Sequence, residues 1–129
     1  MKPALIKIAA VIAGLIVWTA IVTAIDIGFR HFWPAYAAVE KALTFTFAMM
    51  FARLAESFVS SLASGWVAAR IGGPIPALVS GVMLLLLFAP EHYRIWHLFP
   101  AWYHLTFLIS LPVLSVIGGR LAKRASSST

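Results

Sequence analysis

The stretch from Ala42 to Ala69 reads ALTFTFAMMFARLAESFVSSLASGWVAA and indicates which solvent surrounds this chain. It is long enough to cross the hydrocarbon core of a bilayer, which needs about 20 mostly apolar residues. Only Arg53 and Glu56 interrupt it with charge. The stretch therefore predicts a transmembrane helix that carries two ionisable side chains far from its ends.

Three further apolar stretches have the length, or nearly the length, of a membrane crossing. They run from Ala4 to Ile25, from Ile75 to Ala89 and from Pro100 to Gly119, and a polar tail follows at 125–129. Lys2 and Lys7 before the first stretch also resemble a secretory signal, but the length of that stretch favours a retained helix. The pattern predicts an all-α fold, a four-helix membrane bundle that forms one domain over residues 1–129.

The composition of the chain also favours lipid as the main solvent. Hydrophobic residues make up 62% of the sequence and charged residues 11%, whereas soluble domains average about 45–50% and about 25%. The mean hydropathy is +0.95, which leaves too little polar surface to cover a globule in water. The sequence has no cysteine, and this excludes disulfides, thiolate metal sites and cysteine nucleophiles.

The basic residues lie at the ends of the predicted helices, where they set the orientation of a membrane protein. With the N-terminus in the cytoplasm, six of them face inward: Lys2, Lys7, Arg70, Arg120, Lys123 and Arg124. Three face outward: Arg30, Lys41 and Arg94. The excess predicts that both termini are cytoplasmic. Because topology accounts for the net charge of +6, we expect no nucleic-acid partner.

Small and hydroxyl-bearing side chains recur along one face of the second predicted helix. Residues four apart share a face of a helix, and this series begins directly after the two charges. It consists of Ser57, Ser60, Ser61, Ser64 and Gly65. Small residues let helix backbones approach closely in membranes, so this serine stripe predicts a helix–helix contact. It also predicts that Arg53 and Glu56 face protein rather than lipid.

Arg53 and Glu56 are three residues apart, so their side chains can reach each other along the helix. Centring the helix on its apolar run puts both within about one turn of the bilayer midplane. An ion pair there would offset part of the cost of burying charge, which is about 3 kcal/mol per residue on insertion scales. Two interpretations stay open: a pair that fixes helix register, or a polar route for an ion, a proton or an anionic ligand.

All four histidines fall on the predicted outer side, and three of them are candidates for a metal or haem site. Imidazole is a common ligand of zinc, copper and haem iron, and the candidates are His92, His97 and His104. No spacing among them is specific for a metal, and this outer segment is rich in aromatic residues that are typical of the membrane interface. We therefore expect no cofactor.

Pro112 lies inside the fourth stretch and predicts a helix kink with a freed carbonyl near mid-membrane. Every histidine lies nearer the outer face than the hydroxyls of the second helix do. Activation of a serine by a histidine base therefore has no support, and we expect no enzyme activity.

Two segments in the second half of the chain carry a resemblance to known proteins. They are GWVAARIGG at 65–73 and SVIGGRLAKR at 115–124. Together with the four-helix plan, they resemble small uncharacterised four-helix proteins of bacterial inner membranes. The resemblance implies a multi-pass protein of the inner membrane and implies no activity.

These observations leave three hypotheses for function. The first is a small membrane subunit or accessory protein that acts through helix–helix association in a homo- or hetero-oligomer. The second is a small transporter or channel in which Arg53 and Glu56 line a polar route. The third is an outer-face metal or haem site. The expected partners are the lipid bilayer and either another membrane protein or a second copy of the chain.

Overall fold

The fold was obtained as a computed structural model that describes residues 2–127. Within that range it contains five α-helices, one short 3-10 helix and no strand, so the predicted all-α class is confirmed. The elements are α1 (Pro3–Phe32), α2 (Pro34–Val39), α3 (Phe47–Gly72), α4 (Pro74–Arg94), the 3-10 helix Trp96–Leu98 and α5 (Ala101–Ser127). In the described residues, α1, α4 and α5 are long and apolar enough to cross a membrane.

The helix α3 is also long, at 26 residues, which corresponds to about 39 Å. It is not among the helices that meet the apolarity of a membrane span, because two charges and four serines lie in its central part. Length and apolarity therefore indicate a membrane protein with three helices that are apolar enough to cross a bilayer and one long polar-faced helix.

The first helix extends seven residues beyond its predicted end at Ile25. The hydropathy of the sequence falls at Asp26, but a single charge does not break a helix. The helix ends instead at Phe32, because Trp33 precedes Pro34 and the residue before a proline is driven out of the α region. Trp33 accordingly adopts φ −128° and ψ 82°. Pro34 then begins the short helix α2.

The second long helix begins at Phe47, five residues after the predicted start at Ala42. Thr46 caps it: the Thr46 side chain accepts a hydrogen bond from the backbone N–H of Met49 at 3.2 Å. A capping hydroxyl satisfies one of the free amides at a helix start and so fixes where the helix begins. Leu43, with φ 58°, lies in the turn before it. The helix continues to Gly72, and Gly73 has φ 92°, a conformation that favours glycine.

The last two long helices also exceed their predicted bounds. The helix α4 continues through Pro90 to Arg94, rather than ending at Ala89. The helix α5 continues to Ser127, so Gly118 and Gly119 do not end it and part of the predicted polar tail is helical. The two remaining residues of that tail, 128–129, lie outside the described residues.

The four long helices pack side by side, and α3 contacts the other three. Gly14 of α1 lies against Ser64, and Ala10 lies against Gly72, so α1 runs antiparallel to α3. In the same way Ala77 lies against Gly119 and Gly81 lies against Ser115, so α4 runs antiparallel to α5. The beginning of α1 and the end of α5 therefore lie at the same end of the molecule.

The two ends of the molecule differ in charge and in packing. We call one the basic end, because it carries Lys2, Lys7, Arg70, Arg120, Lys123 and Arg124. We call the other the aromatic end, where α2, the turn before α3 and the α4–α5 connection meet. The main apolar core lies toward the aromatic end and includes Trp18, Met50, Leu54, Leu84, Phe99, Tyr103, Phe107 and Leu111.

Toward the basic end, small residues bring the helix backbones into direct contact. A Cβ added to Gly65 would collide with the backbone of Ser115, and one added to Gly118 would collide with the backbone of Leu62. These are the close approaches that small residues permit between membrane helices. The physical role of Gly118 is therefore close packing of α5 on α3, which explains why it does not terminate the helix.

We expect Gly65→Ala to destabilise the protein by about 1–3 kcal/mol, because the added methyl group forces α3 and α5 apart. The measurement is the thermal unfolding midpoint in a mild detergent. The matched control is Gly28→Ala on α1, where an added Cβ has no neighbour within 4 Å and helix propensity favours alanine by about 1 kcal/mol. Equal midpoints for the two variants would contradict the packing described above.

Candidate functional site

Arg53 is held at the aromatic end by two tyrosine hydroxyls and one aromatic ring. Its Nε donates to the hydroxyl of Tyr103 at 3.0 Å, and its Nη1 donates to the hydroxyl of Tyr36 at 2.8 Å. The guanidinium carbon lies 4.7 Å from the centre of the Phe45 ring, within the range of a cation–π interaction. Three segments, α2, the turn before α3 and α5, therefore converge on one half-buried charge.

The predicted ion pair between Arg53 and Glu56 is wrong. The Arg53 side chain extends toward the aromatic end, where it meets Tyr36 and Tyr103, whereas Glu56 faces α1. Because α3 begins at Phe47, Arg53 also lies about 10 Å from the centre of the helix, closer to the aromatic end than was expected. Ion pairs do form elsewhere at this end, between Arg30 and Glu40 at 2.7 Å and between Arg94 and Glu91 at 2.6 Å.

The neighbour of Glu56 is a second carboxyl group, that of Asp26 on α1. The two side chains interact by charge and lie within hydrogen-bonding range of each other. Glu56 is only 7% exposed. Its Oε2 atom and the Oδ1 atom of Asp26 are both buried and find no hydrogen-bond donor in the described part of the chain. We call Asp26 and Glu56 the carboxyl pair.

The register between α1 and α3 brings the carboxyl pair together. On α1 the buried residues Ala10, Gly14 and Trp18 are spaced by four, and two further steps along the same face lead to Asp26. Trp18 donates a hydrogen bond from Nε1 to the hydroxyl of Ser61 at 3.1 Å. Because α1 and α3 are antiparallel, Asp26, near the C-terminal end of α1, lies beside the start of the serine stripe on α3.

The serine stripe lies inside the protein and continues from the carboxyl pair toward the basic end. All five of its members are buried, and Ser80 of α4 and Ser115 of α5 lie buried beside them. Several hydroxyls bond backbone carbonyls, as Ser60 does to Glu56 at 2.6 Å. The hydroxyls of Ser57 and Ser64, however, have no hydrogen-bond partner in residues 2–127. The interior thus contains a column of hydroxyls with unused hydrogen-bonding capacity.

Two of the candidate metal or haem ligands, His92 and His104, form a buried pair between α4 and α5. Their Nδ1 atoms are 2.7 Å apart, and the Nε2 of His104 lies 3.1 Å from the carbonyl oxygen of Trp96. A carbonyl only accepts, so His104 carries its proton on Nε2 and its Nδ1 accepts from His92. Both rings are packed among aromatic side chains, with His92 4.4 Å from Phe107 and Trp96 stacked on His104.

This arrangement does not fit a metal or haem site, for which these histidines were candidate ligands. A metal bound to both nitrogens at about 2.0–2.1 Å would hold them ~3.3 Å apart, so the observed separation is that of a hydrogen bond. His97 is exposed and does not join the pair. Within residues 2–127, no group of three or more histidine, aspartate or glutamate side chains could hold a metal ion. The histidines act here as packed, mutually hydrogen-bonded core residues.

Pro112 lies in the middle of α5, where its Cα atom packs against Gly81 of α4. The helix is continuous through this position, from Ala101 to Ser127. Ser115, one turn further along, contacts both Gly81 and Gly65. Pro112 therefore borders the hydroxyl column, while the predicted kink stays a prediction.

Four residues of this site were not identified from the sequence: Asp26, Tyr36, Phe45 and Tyr103. The tyrosines and the phenylalanine belong to segments whose aromatic composition is equally typical of an interfacial belt. For Asp26 a signal was present, because it continues the four-residue spacing of Ala10, Gly14 and Trp18. The chain matches no model of a known protein family, no curated protein and no solved structure.

We expect Tyr36→Phe to destabilise the protein by about 1.5–3 kcal/mol, because it removes a hydrogen bond from a half-buried guanidinium. A lower unfolding midpoint in mild detergent is the measurement. Tyr93→Phe is the control, since Tyr93 is 83% exposed at the same end and its substitution should leave the midpoint unchanged. If both variants have the same unfolding midpoint as the unsubstituted protein, the Tyr36 hydroxyl does not hold Arg53.

Proposed function

We propose that this protein is a small transporter or channel for an inorganic ion, with its working site at the carboxyl pair. In this proposal α1, α3, α4 and α5 cross a bacterial inner membrane as a four-helix bundle. The excess of basic residues at one end supports cytoplasmic termini. Burial of the stripe of α3 supports a fourth crossing, because the polar face of that helix turns away from lipid.

One observation carries the proposal: the buried Glu56 carboxyl, whose Oε2 atom meets no hydrogen-bond donor in residues 2–127, adjoins a column of buried hydroxyls. Ionisable side chains within membrane helices are costly, and they mark ion pathways when they face the protein interior. From Glu56 to Ser64 the column spans about 12 Å along α3. The free hydroxyls of Ser57 and Ser64 supply hydrogen-bonding groups for water or an ion within it.

The surroundings of the column support this use over purely structural packing. Structural serines in membrane helices bond the carbonyl one turn back, as Ser60 does, and so need no further partner. Ser57 and Ser64 do not. An unmade hydrogen bond in a buried group costs about 1–3 kcal/mol, and a polar path would remove that cost by supplying water. Pro112 lies beside the column, and as a proline it donates no backbone hydrogen bond to the preceding turn of α5.

We expect purified protein in proteoliposomes to give transient currents on a solid-supported membrane when the concentration of a permeant ion is stepped. The ions applied in turn are Na⁺, K⁺, H⁺ and Cl⁻. Glu56→Gln should reduce the current to that of empty liposomes. Glu91→Gln, which removes an exposed carboxylate paired with Arg94, should retain it. Absence of current with all four ions would overturn the proposal.

Association with another membrane protein, or with a second copy, is the second candidate function. The stripe is buried within the chain, so a partner would need another surface. An apolar groove between α3 and α5 supports this candidate, with a volume of about 670 Å³. Its lining includes Phe47, Phe51, Phe58, Trp102 and Thr106. A groove of this kind accepts one apolar helix through ordinary side-chain packing.

If association is the function, purification in a mild detergent should yield a stoichiometric second chain, identified by mass spectrometry. Trp102→Ala should release that chain, because it removes the largest side chain of the groove. Trp66→Ala is the matched control, since Trp66 is exposed on α3 toward the basic end. A monomer in the unsubstituted protein, or equal retention by both variants, would contradict the second candidate.

A further inference from the structure

The charges around the carboxyl pair do not balance. Asp26 and Glu56 bring two negative charges to one position between α1 and α3, and Arg53 is the cation that acts on Glu56 from the same helix. Arg30 acts on Asp26 from α1 but is paired with Glu40. Two cations therefore face three carboxylates, and one negative charge remains.

An uncompensated negative charge is not tolerated in this position. Glu56 is more than nine-tenths buried, and the unpartnered oxygens of the pair are shielded from solvent. Two like charges in contact away from water repel strongly, and an isolated buried carboxylate is unfavourable because it has lost its hydration. The site therefore requires one further positive charge bound between α1 and α3.

Deepening the function proposed above, on which this step rests, we propose that the carboxyl pair binds a single proton shared between Asp26 and Glu56. The proton forms an O–H bond on one carboxyl, and that group donates a hydrogen bond to the carboxylate oxygen of the other. With the proton bound, the carboxyl pair carries one negative charge, and the positive charge of Arg53 balances it. Release of the proton leaves two carboxylates and restores the excess charge.

The ligands at the site favour a proton over a metal cation. Calcium takes six to eight oxygen ligands and magnesium demands an octahedral shell. Here two carboxyls meet, and residues 2–127 contain no cluster of three or more acidic or imidazole ligands. The positive guanidinium of Arg53 would also repel a metal cation bound at the carboxyl pair. A proton needs only the two facing oxygens that the pair already supplies.

The groups that face the pair set the conditions under which the proton is held. From the packed elements these are Arg30 on α1, Tyr36 on α2, Glu40 after it, Arg53 on α3 and Tyr103 on α5. The tyrosine hydroxyls are engaged by Arg53. On α4, His92 lies within charge range of Arg53. None of these side chains donates a hydrogen bond to the free oxygens of the pair.

Infrared spectroscopy of the full chain in lipid bilayers tests this inference, because a protonated carboxyl has a C=O band that a carboxylate lacks. At neutral pH the unsubstituted protein should show one such band. Both Asp26→Asn and Glu56→Gln should abolish it, since either change leaves one carboxylate that Arg53 neutralises alone. The control Glu91→Gln should retain the band.

Isotope labelling gives the same answer without any substitution. Asp26 is the only aspartate of the sequence, so carboxyl-labelled aspartate marks one side chain. Carboxyl-labelled glutamate marks Glu56 together with Glu40 and Glu91, and the Glu56→Gln variant identifies the contribution of Glu56. One or both labels should shift the band. Absence of the band, its persistence in either single variant, or its loss on adding Na⁺ at constant pH would overturn the shared proton.

The two proposals fail separately. A band that meets these conditions in a protein without ion currents would leave the proton site in place and refute transport. Currents in a protein that lacks the band would leave transport in place and refute the proton as the ligand of this pair.

Discussion

Placement of the half-buried Arg53 guanidinium inside the aromatic end is the constraint on which the other features of this structure depend. Charge inside a membrane protein must be solvated by the protein itself. Arg53 obtains two hydroxyl acceptors and an aromatic face from three separate segments. To bring those segments together, α2 must turn back after Trp33 and α5 must begin beside α3. The fold of the aromatic end thus follows from the need to surround one side chain.

The carboxyl pair depends in turn on the register between α1 and α3. A shift of one turn along either helix would move Asp26 by about 5.4 Å, enough to separate it from Glu56. Two features oppose such a shift. Trp18 is hydrogen-bonded to Ser61, and Gly14 packs directly on Ser64. Small residues at the basic end therefore determine which ionisable groups meet at the other end.

Much of the fold was accessible from the sequence, because apolar length and helical spacing are strong local signals. They gave the helical class, the approximate position of each long helix and the stripe on α3. The exact ends were missed where local chemistry overrides hydropathy, as at Thr46, which caps a helix inside an apolar run. The predicted end of the last helix at Gly119 was wrong for a related reason, since a glycine near a helix end serves either packing or termination and only the neighbouring helix decides which.

The site was less accessible, because its contacts join residues far apart in the chain. The spacing of Arg53 and Glu56 permits an ion pair, but sequence spacing cannot show that two tyrosine hydroxyls bind the guanidinium instead. Likewise, His92 and His104 carry the chemistry of metal ligands, and only their mutual hydrogen bond shows that each satisfies the other. Pairwise spacing on one helix is a poor guide wherever partners on other helices are available.

The backbone contacts of Gly65 and Gly118 have a mechanical consequence. Where the main chains of two helices are in contact, neither helix can tilt or slide without losing that contact. The packing of α3 on α5 is therefore rigid in the basic half of the molecule. The aromatic half is held by long side chains that can change rotamer. Any separation of the helices that admits water to the interior must therefore begin at the aromatic half, while the backbone contact between α3 and α5 stays in place.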